Sequence, residues 1–418
     1  MTLRGLVIWL VCALFFLYEF FLRTVLGIFQ VPLMSELHLS AVQFATLSAT
    51  SYQVIYGLMQ LPVSIIVIRY GLKKTLLFAT ITCSIATLGF AFSYGYGSAL
   101  FFRSLMGLGS SFGFICLLLS VYDWLPKKNT AFFIGLSQFI GTMGPLAAAG
   151  PLSSILATQL HAWRSLFIIL SCLGASLTLL VFYCVESNRS QNDSFFILSK
   201  PASFYSNIRQ LIIQKQVWYI GLYSALVYFS LEYFSESEGI TFLMAKGLSI
   251  QFAAYLISIA WLGYALGCPV LGYFSDKYQL RKPMMVFCIF SVLLSLLTII
   301  YVSLYKWGFL ACFFLFGFGA SGQSIGFSIM SENCRSSYLS IGLAFNNMLI
   351  MLYTAFSAPL LGWMLDKKPP YISTLMHYQK NFSLLIVLIS AGTVLGLFFI
   401  KETFCKQVHE ITPLQFQS

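Results

Sequence analysis

Apolar residues run through the chain in twelve blocks of spanning length, separated by short polar turns. They lie at roughly 6–31, 41–68, 75–94, 98–124, 129–158 and 164–185, then at 216–244, 250–274, 283–304, 307–330, 337–365 and 381–400. A bilayer core about 30 Å thick is crossed by about 20 apolar residues in a helix. The blocks therefore predict an all-α integral membrane fold of twelve transmembrane helices. Only one internal polar segment is long, from Glu186 to Lys215. It predicts an N-terminal six-helix bundle over 1–185, a cytoplasmic linker over 186–215, a C-terminal six-helix bundle over 216–405 and a cytoplasmic tail over 406–418. From Ser203 to Gln216 the linker spaces its apolar residues like a surface helix lying on the inner leaflet.

The second half echoes the first at an offset of about 208. Arg69-Tyr-Gly-Leu-Lys-Lys74 follows the second block and Lys277-Tyr-Gln-Leu-Arg-Lys282 the eighth. Gly107-Leu-Gly109 answers Gly317-Phe-Gly319, and Gly150-Pro-Leu answers Ala358-Pro-Leu. Two parallel six-span repeats follow, with a site expected between them near the midplane.

A hydrophobic share of 59% against 9% charged residues excludes a water-soluble domain of 418 residues. The net charge of +11 could suggest a nucleic-acid partner, but the basic residues sit in the short turns. With a cytoplasmic N-terminus, 16 of the 24 Lys and Arg fall on the inner side, six on the outer side and two, Arg23 and Arg103, in the membrane. That placement satisfies the positive-inside rule. The first block is too long for a secretory signal core and reads as a retained span. None of the ten cysteines lies in an outer turn, so disulfides are not expected, and the four histidines show no metal-ligand spacing.

Two enzyme-like patterns occur in the tenth block. Gly317-x-Gly319-x-x-Gly322 fits a dinucleotide fingerprint and Gly322-Gln-Ser324-Ile-Gly326 a nucleophile elbow. Both chemistries need a strand running into a helix, and an apolar span lacks one. Gly322 and Gly326 read there as a helix-packing face.

Ionisable residues inside spans point to function. Tyr18-Glu19-Phe-Phe-Leu-Arg23 places an acid and a base four apart on one helical face, where they can pair with each other. Leu231-Glu232-Tyr-Phe-Ser-Glu236 in the seventh block is its second-half counterpart, so Glu19 answers Glu232 and Arg23 answers Glu236. An Arg23–Glu236 pair across the halves would act as a gate, since its attraction exists in one state only. Glu19 and Glu232 are candidate proton carriers, and Arg23 and Arg103 candidate binders of an anion, for which the planar guanidinium is suited. Tyr18, Tyr52, Gln53, Tyr56, Gln138, Tyr228, Gln323, Asn346 and Asn347 are polar groups of the central spans and candidate substrate contacts. Asp123 and Glu332, at inner helix ends beside basic turns, read as structural ion-pair members.

Gly272-Tyr-Phe-Ser-Asp276-Lys277-Tyr-Gln-Leu-Arg281-Lys282 resembles the G-x-x-x-D-R/K-x-G-x-R-K/R loop of the major facilitator superfamily, lacking only the second glycine. The first-half copy keeps Arg69, Gly71, Lys73 and Lys74 but has Ser64 and Ile68 where the family has glycine and aspartate. Arg103-Ser-Leu-Met-Gly107-Leu-Gly109 resembles the family's R-x-x-x-G-x-G signature. The resemblance implies a rocking carrier of two pseudo-symmetric bundles. It implies a helix-end latch at Asp276, Lys277, Arg281 and Arg69, and a part for Arg103 in proton transfer. Finer likeness, through Y-E-F-F-L-R and Gly263-Tyr-Ala-Leu-Gly-Cys-Pro, is to bacterial organic-anion and sugar-phosphate permeases, with amino-acid and siderophore importers among the relatives.

The function expected is proton-coupled uptake of a small carboxylate-bearing solute across a bacterial inner membrane. Both termini would be cytoplasmic, the proton gradient would supply the energy in place of a cofactor, and the working unit would be a monomer. A drug or metabolite exporter of the same fold, favoured by the Gly-Pro-rich fifth block, is the nearest rival. A membrane sensor that has lost transport and a membrane-embedded enzyme are readings of other classes.

Overall fold

The computed structural model describes residues 3–125, 130–152, 162–186, 201–335, 339–367 and 373–407. Every regular element among them is helical. Ten helices are long and apolar enough to cross a membrane: Leu3–Glu36, Ala41–Val67, Leu72–Ala91, Tyr96–Val121, Ala162–Cys184, Ile250–Tyr278, Lys282–Tyr301, Lys306–Asn333, Ile341–Asp366 and Thr374–Phe399. They occupy ten of the twelve places that the apolar blocks predict. The fifth and seventh places hold Thr130–Ala147 and Lys215–Glu236. The seventh carries Glu232 and Glu236 among tyrosines and serines and is buried along most of its length. A helix so polar is held by neighbouring helices instead of by lipid. Numbered in chain order, these are spans one to twelve. Linker residues 187–200 and tail residues 408–418 lie outside the described ones, and the helix Pro201–Ile213 precedes span seven.

The repeat is visible in the packing. Gly107 lies so close to the Tyr52 carbonyl that a Cβ would stand 2.3 Å from it, and Gly317 meets the Ala260 carbonyl in the same way at 1.7 Å. Tyr52 and Ala260 are themselves 208 positions apart, so one close helix crossing occurs twice. Ser40 and Ser249 each cap the helix that follows, accepting the amides of Gln43 and Phe252. The cap satisfies a donor that a helix start otherwise leaves bare. Pro62 and Pro269 lie inside spans two and eight, and Pro145 and Pro359 inside spans five and eleven, where each removes a backbone donor from the helix ladder. In span ten, Gly319 and Gly322 pack on Cys288 and Gly326 on Ser224, so the glycines of both enzyme-like patterns serve helix contact.

Span one stops being α-helical at Thr24 and continues as a 3-10 turn over Val25–Phe29. There Gly27 lies against the backbone of span seven, where a Cβ would come within 1.9 Å of the Ser235 carbonyl oxygen. The contact begins a seal on the membrane side opposite the termini. Gln30 donates to Glu238 at 2.6 Å, Thr50 to the Ala355 carbonyl at 2.5 Å, and Ser258 to the Leu146 carbonyl at 2.7 Å. At the far end the amides of Ala41 and Val42 bond the Asp366 carboxylate at 2.8 and 3.1 Å. Each of these bonds joins the two halves, and together they close that side.

Candidate functional site

At mid-depth, between the halves, lies a cavity of about 50 Å³, room for a few water molecules. Arg23 reaches it from span one, Tyr56 from span two and Gln138 from span five. From the other half come Tyr228, Tyr264, Gln323 and Asn347, on spans seven, eight, ten and eleven. Phe16 and Phe20 line one wall, and Phe114 and Phe327 meet across the halves with ring centroids 6.0 Å apart.

Arg23 is the one cation among the residues lining this cavity. Its Nη2 donates to the Tyr228 hydroxyl at 2.9 Å and stands 3.3 Å from Glu232 Oε1, and its Nε stands 3.5 Å from Glu236 Oε1. The guanidinium also lies 4.0 Å over the Phe20 ring. Each glutamate is fixed through its other oxygen. Thr354 donates to Glu232 Oε2 at 2.7 Å and Gln53 to Glu236 Oε2 at 2.9 Å. Arg23 Nε, Glu232 Oε1 and Glu236 Oε1 thus face one another as ions without forming close hydrogen bonds. Buried charges held this loosely are under-satisfied, and a ligand or a proton is what can complete them.

The pairing of Arg23 with Glu19 within span one does not occur. Glu19 turns the other way and accepts from the Tyr52 hydroxyl at 3.1 Å, packed against Gly113, where a Cβ would touch it. The two acids matched by the repeat therefore have unequal places: Glu232 beside the cavity arginine, Glu19 behind the wall.

Arg103 also departs from expectation. Fully buried, it sends Nη1 to the Leu22 carbonyl at 2.6 Å and Nη2 to those of Arg23 and Ser48 at 2.7 and 2.9 Å, with its guanidinium over the Tyr52 ring. These carbonyls lie where span one changes to a 3-10 turn and within the π turn of span two, and each takes a side-chain donor. Arg103 supplies the donors, and in doing so holds the backbone of Arg23. It does not line the cavity.

Tyr18 bonds the Leu170 carbonyl at 2.9 Å, away from the cavity. Tyr52 stacks on Tyr56, and Gln53 meets the site through its bond to Glu236. Asn347 donates to Gln60 at 3.0 Å across the halves, and Gln323 accepts from Tyr264 at 2.5 Å. Asn346 is buried and neither of its amide atoms has a partner.

Sequence reasoning missed Tyr264, Gln60, Thr354, Ser324, Met351 and the phenylalanines. Tyr264 was within reach, because it stands 208 positions after Tyr56 and the repeat relates the two.

The helix-end cluster on the side of the termini stays within the second half. Arg281 bonds Asp276 at 2.6 Å, Glu332 at 2.8 Å and the Ser275 hydroxyl at 2.9 Å, while Glu402 accepts the amides of Arg281 and Lys282. Thr403 donates to Glu332. Burial works against the charge of Arg281, yet Glu332 and Asp276 together hold its pKa above the ordinary arginine value. Lys277 and Arg69 are exposed and lie over tyrosine rings of their own segments. Glu332 is thus an ion-pair member, whereas the Asp123 side chain lies outside the described residues.

Two pseudo-symmetric helical halves enclosing a charged, aromatic-walled cavity at mid-depth define a membrane carrier of small solutes. The profile of the Major Facilitator Superfamily matches residues 11–358, and the chain belongs to that family. It is a multi-pass membrane transporter and not an enzyme. The hexuronate transporter of Bacillus subtilis (strain 168) is 24% identical over 288 residues, covering 64% of this chain and 66% of that protein, just under two thirds of its length. Among solved structures, the D-xylose–proton symporter superposes with a TM-score of 0.77 at 16% identity, over 96% of this chain and 99% of its own. A bacterial homologue of the human lysosomal transporter Spinster, in an inward-facing and unoccupied conformation, gives 0.75 at 16% identity, over 95% and 97%. These two likenesses concern the fold.

Proposed function

We propose that the protein takes up a small polyhydroxylated carboxylate, with hexuronates the first class to try, by proton-coupled alternating access. The observation that carries the reading is Arg23, a lone cavity cation loosely held by two glutamates. A substrate carboxylate takes the guanidinium's two-pronged face more closely than either glutamate does. The displaced glutamate then sits buried without a countercharge, which favours its taking up a proton. Binding an anion and binding a proton thereby favour one another. Gln138, Gln323 and Asn347 offer amides to hydroxyl groups, and the phenylalanines a wall for a ring. The relative's printed substrate, a hexuronate, is a polyhydroxylated acid of this kind.

The closed cavity is too small for a sugar acid, so loading requires the halves to rock apart. With the termini cytoplasmic, as the basic turns suggest, the present arrangement is sealed towards the outside of a bacterial inner membrane. Purified protein in proteoliposomes is the test. Galacturonate and glucuronate should accumulate under an inward proton gradient, and neutral galactose and glucose should not. Accumulation of apolar cations, or proton-driven efflux in place of uptake, would sink the reading in favour of an exporter.

A further inference from the structure

Where the linker helix meets span seven, on the membrane side bearing the termini, lies a second cavity of about 500 Å³. Lys215, Gln216 and Tyr219 from the start of span seven form one wall, and Asn333, Phe399 and Lys401 from the ends of spans ten and twelve form the others. Gln216 ties the walls together, its amide donating to the Phe399 carbonyl at 2.8 Å and its oxygen accepting from the Lys401 amide at 3.1 Å. The cavity is therefore held open by groups other than its two lysine side chains.

Lys215 and Lys401 are exposed, and neither enters an ion pair among the described residues. Adjacent Glu402 forms no ion pair with either among the described residues, its oxygens accepting the backbone amides of Arg281, Lys282, Thr403 and Phe404. Phe398, which lines the cavity, is 76% exposed, and Ile213, just before the lining residue Gln214, is 69% exposed. One turn into span seven, partly exposed Trp218 donates to the Ile212 carbonyl at 2.8 Å, the kind of aromatic residue that settles at headgroup level. A cavity with two unpaired cations, opening beside bare apolar side chains at that depth, is complementary to a phosphate that carries acyl chains.

We propose that this cavity binds an anionic phospholipid from the leaflet on the side of the termini. Its phosphate lies between Lys215 and Lys401, and its chains pass over Phe398 and Ile213. The occupant braces the base of span seven, the helix that carries Glu232 and Glu236, against the end of span twelve. A free phosphate shares the headgroup's charge but has nothing to lay on those apolar side chains.

The experiment is native mass spectrometry of the detergent-solubilised full chain. It is titrated with phosphatidylglycerol, with phosphatidylcholine of the same chains, and with inorganic phosphate, and melting curves are recorded under each condition. Phosphatidylglycerol should be retained at least tenfold more than phosphatidylcholine and should raise the melting temperature, while inorganic phosphate does neither. Lys215→Gln with Lys401→Gln should lose that retention at least tenfold. Lys215→Arg with Lys401→Arg should keep it, and so should Lys73→Gln with Lys74→Gln at the basic turn of the other half. Equal retention by the Lys215→Gln, Lys401→Gln variant, equal loss in the Lys73→Gln, Lys74→Gln variant, or equal stabilisation by inorganic phosphate would each overturn the proposal.

Discussion

At the scale of the residue, the site is one arginine and what surrounds it. Arg23→Met leaves Glu232 and Glu236 buried with no cation between them. Breaking a buried pair in this way costs on the order of 3–5 kcal/mol, to be read as a lowered melting temperature. Adding Glu236→Gln should recover part of that loss, because one of the two uncompensated carboxylates is then removed. For transport, Arg23→Glu combined with Glu236→Arg should regain uptake that each single change abolishes. Arg23→Lys should not substitute, since an ammonium lacks the planar pair of donors. Which of these groups carry charge is plain from the sequence, but which way each one points is not. Glu19 and Arg103 look equal to Glu232 and Arg23 on paper. They differ because Glu19 meets Tyr52 behind the wall, while Arg103 bonds backbone carbonyls where span one changes its helix type.

At the scale of the element, glycines decide how near two helices come. Gly27 has the backbone of the other half where its side chain would be, so Gly27→Val should keep the two halves from meeting on the side opposite the termini. Ser237, 2% exposed and facing Ser48 in that seal, provides the readout. A Ser237→Cys reporter should resist a membrane-impermeant maleimide in the parent and react in the Gly27→Val background. Unchanged labelling would mean that the seal does not depend on this contact. The helix-end cluster gives a graded expectation. Asp276 is largely exposed, so Asp276→Asn should change the melting temperature little, as surface pairs contribute about 0–1 kcal/mol. Glu332, buried between Arg281 and Thr403, should cost several times more when changed to Ala.

At the scale of the whole molecule, the helical frame was legible because lipid imposes a length and a polarity on every crossing segment. The repeat was legible because two copies of one packing problem kept Gly107 and Gly317, and Ser40 and Ser249. The cavity walls were less so. Phe114 and Phe327 lie in apolar runs where facing the cavity and facing lipid leave the same pattern, and only the assembled halves separate the two. One arginine set between two glutamates has an electrical consequence as well. In the proposed cycle a monoanion arrives as one glutamate leaves the arginine carrying a proton, so the carrier has the same charge loaded and empty. A membrane voltage acts only on charge that moves, with about 2.3 kcal/mol per elementary charge per 100 mV, and over a full cycle here the loaded and empty crossings cancel. Uptake into proteoliposomes should follow an imposed pH difference and stay flat when valinomycin and potassium set the potential. A substrate-dependent current would show that the count of charges at Arg23 is not conserved through the cycle.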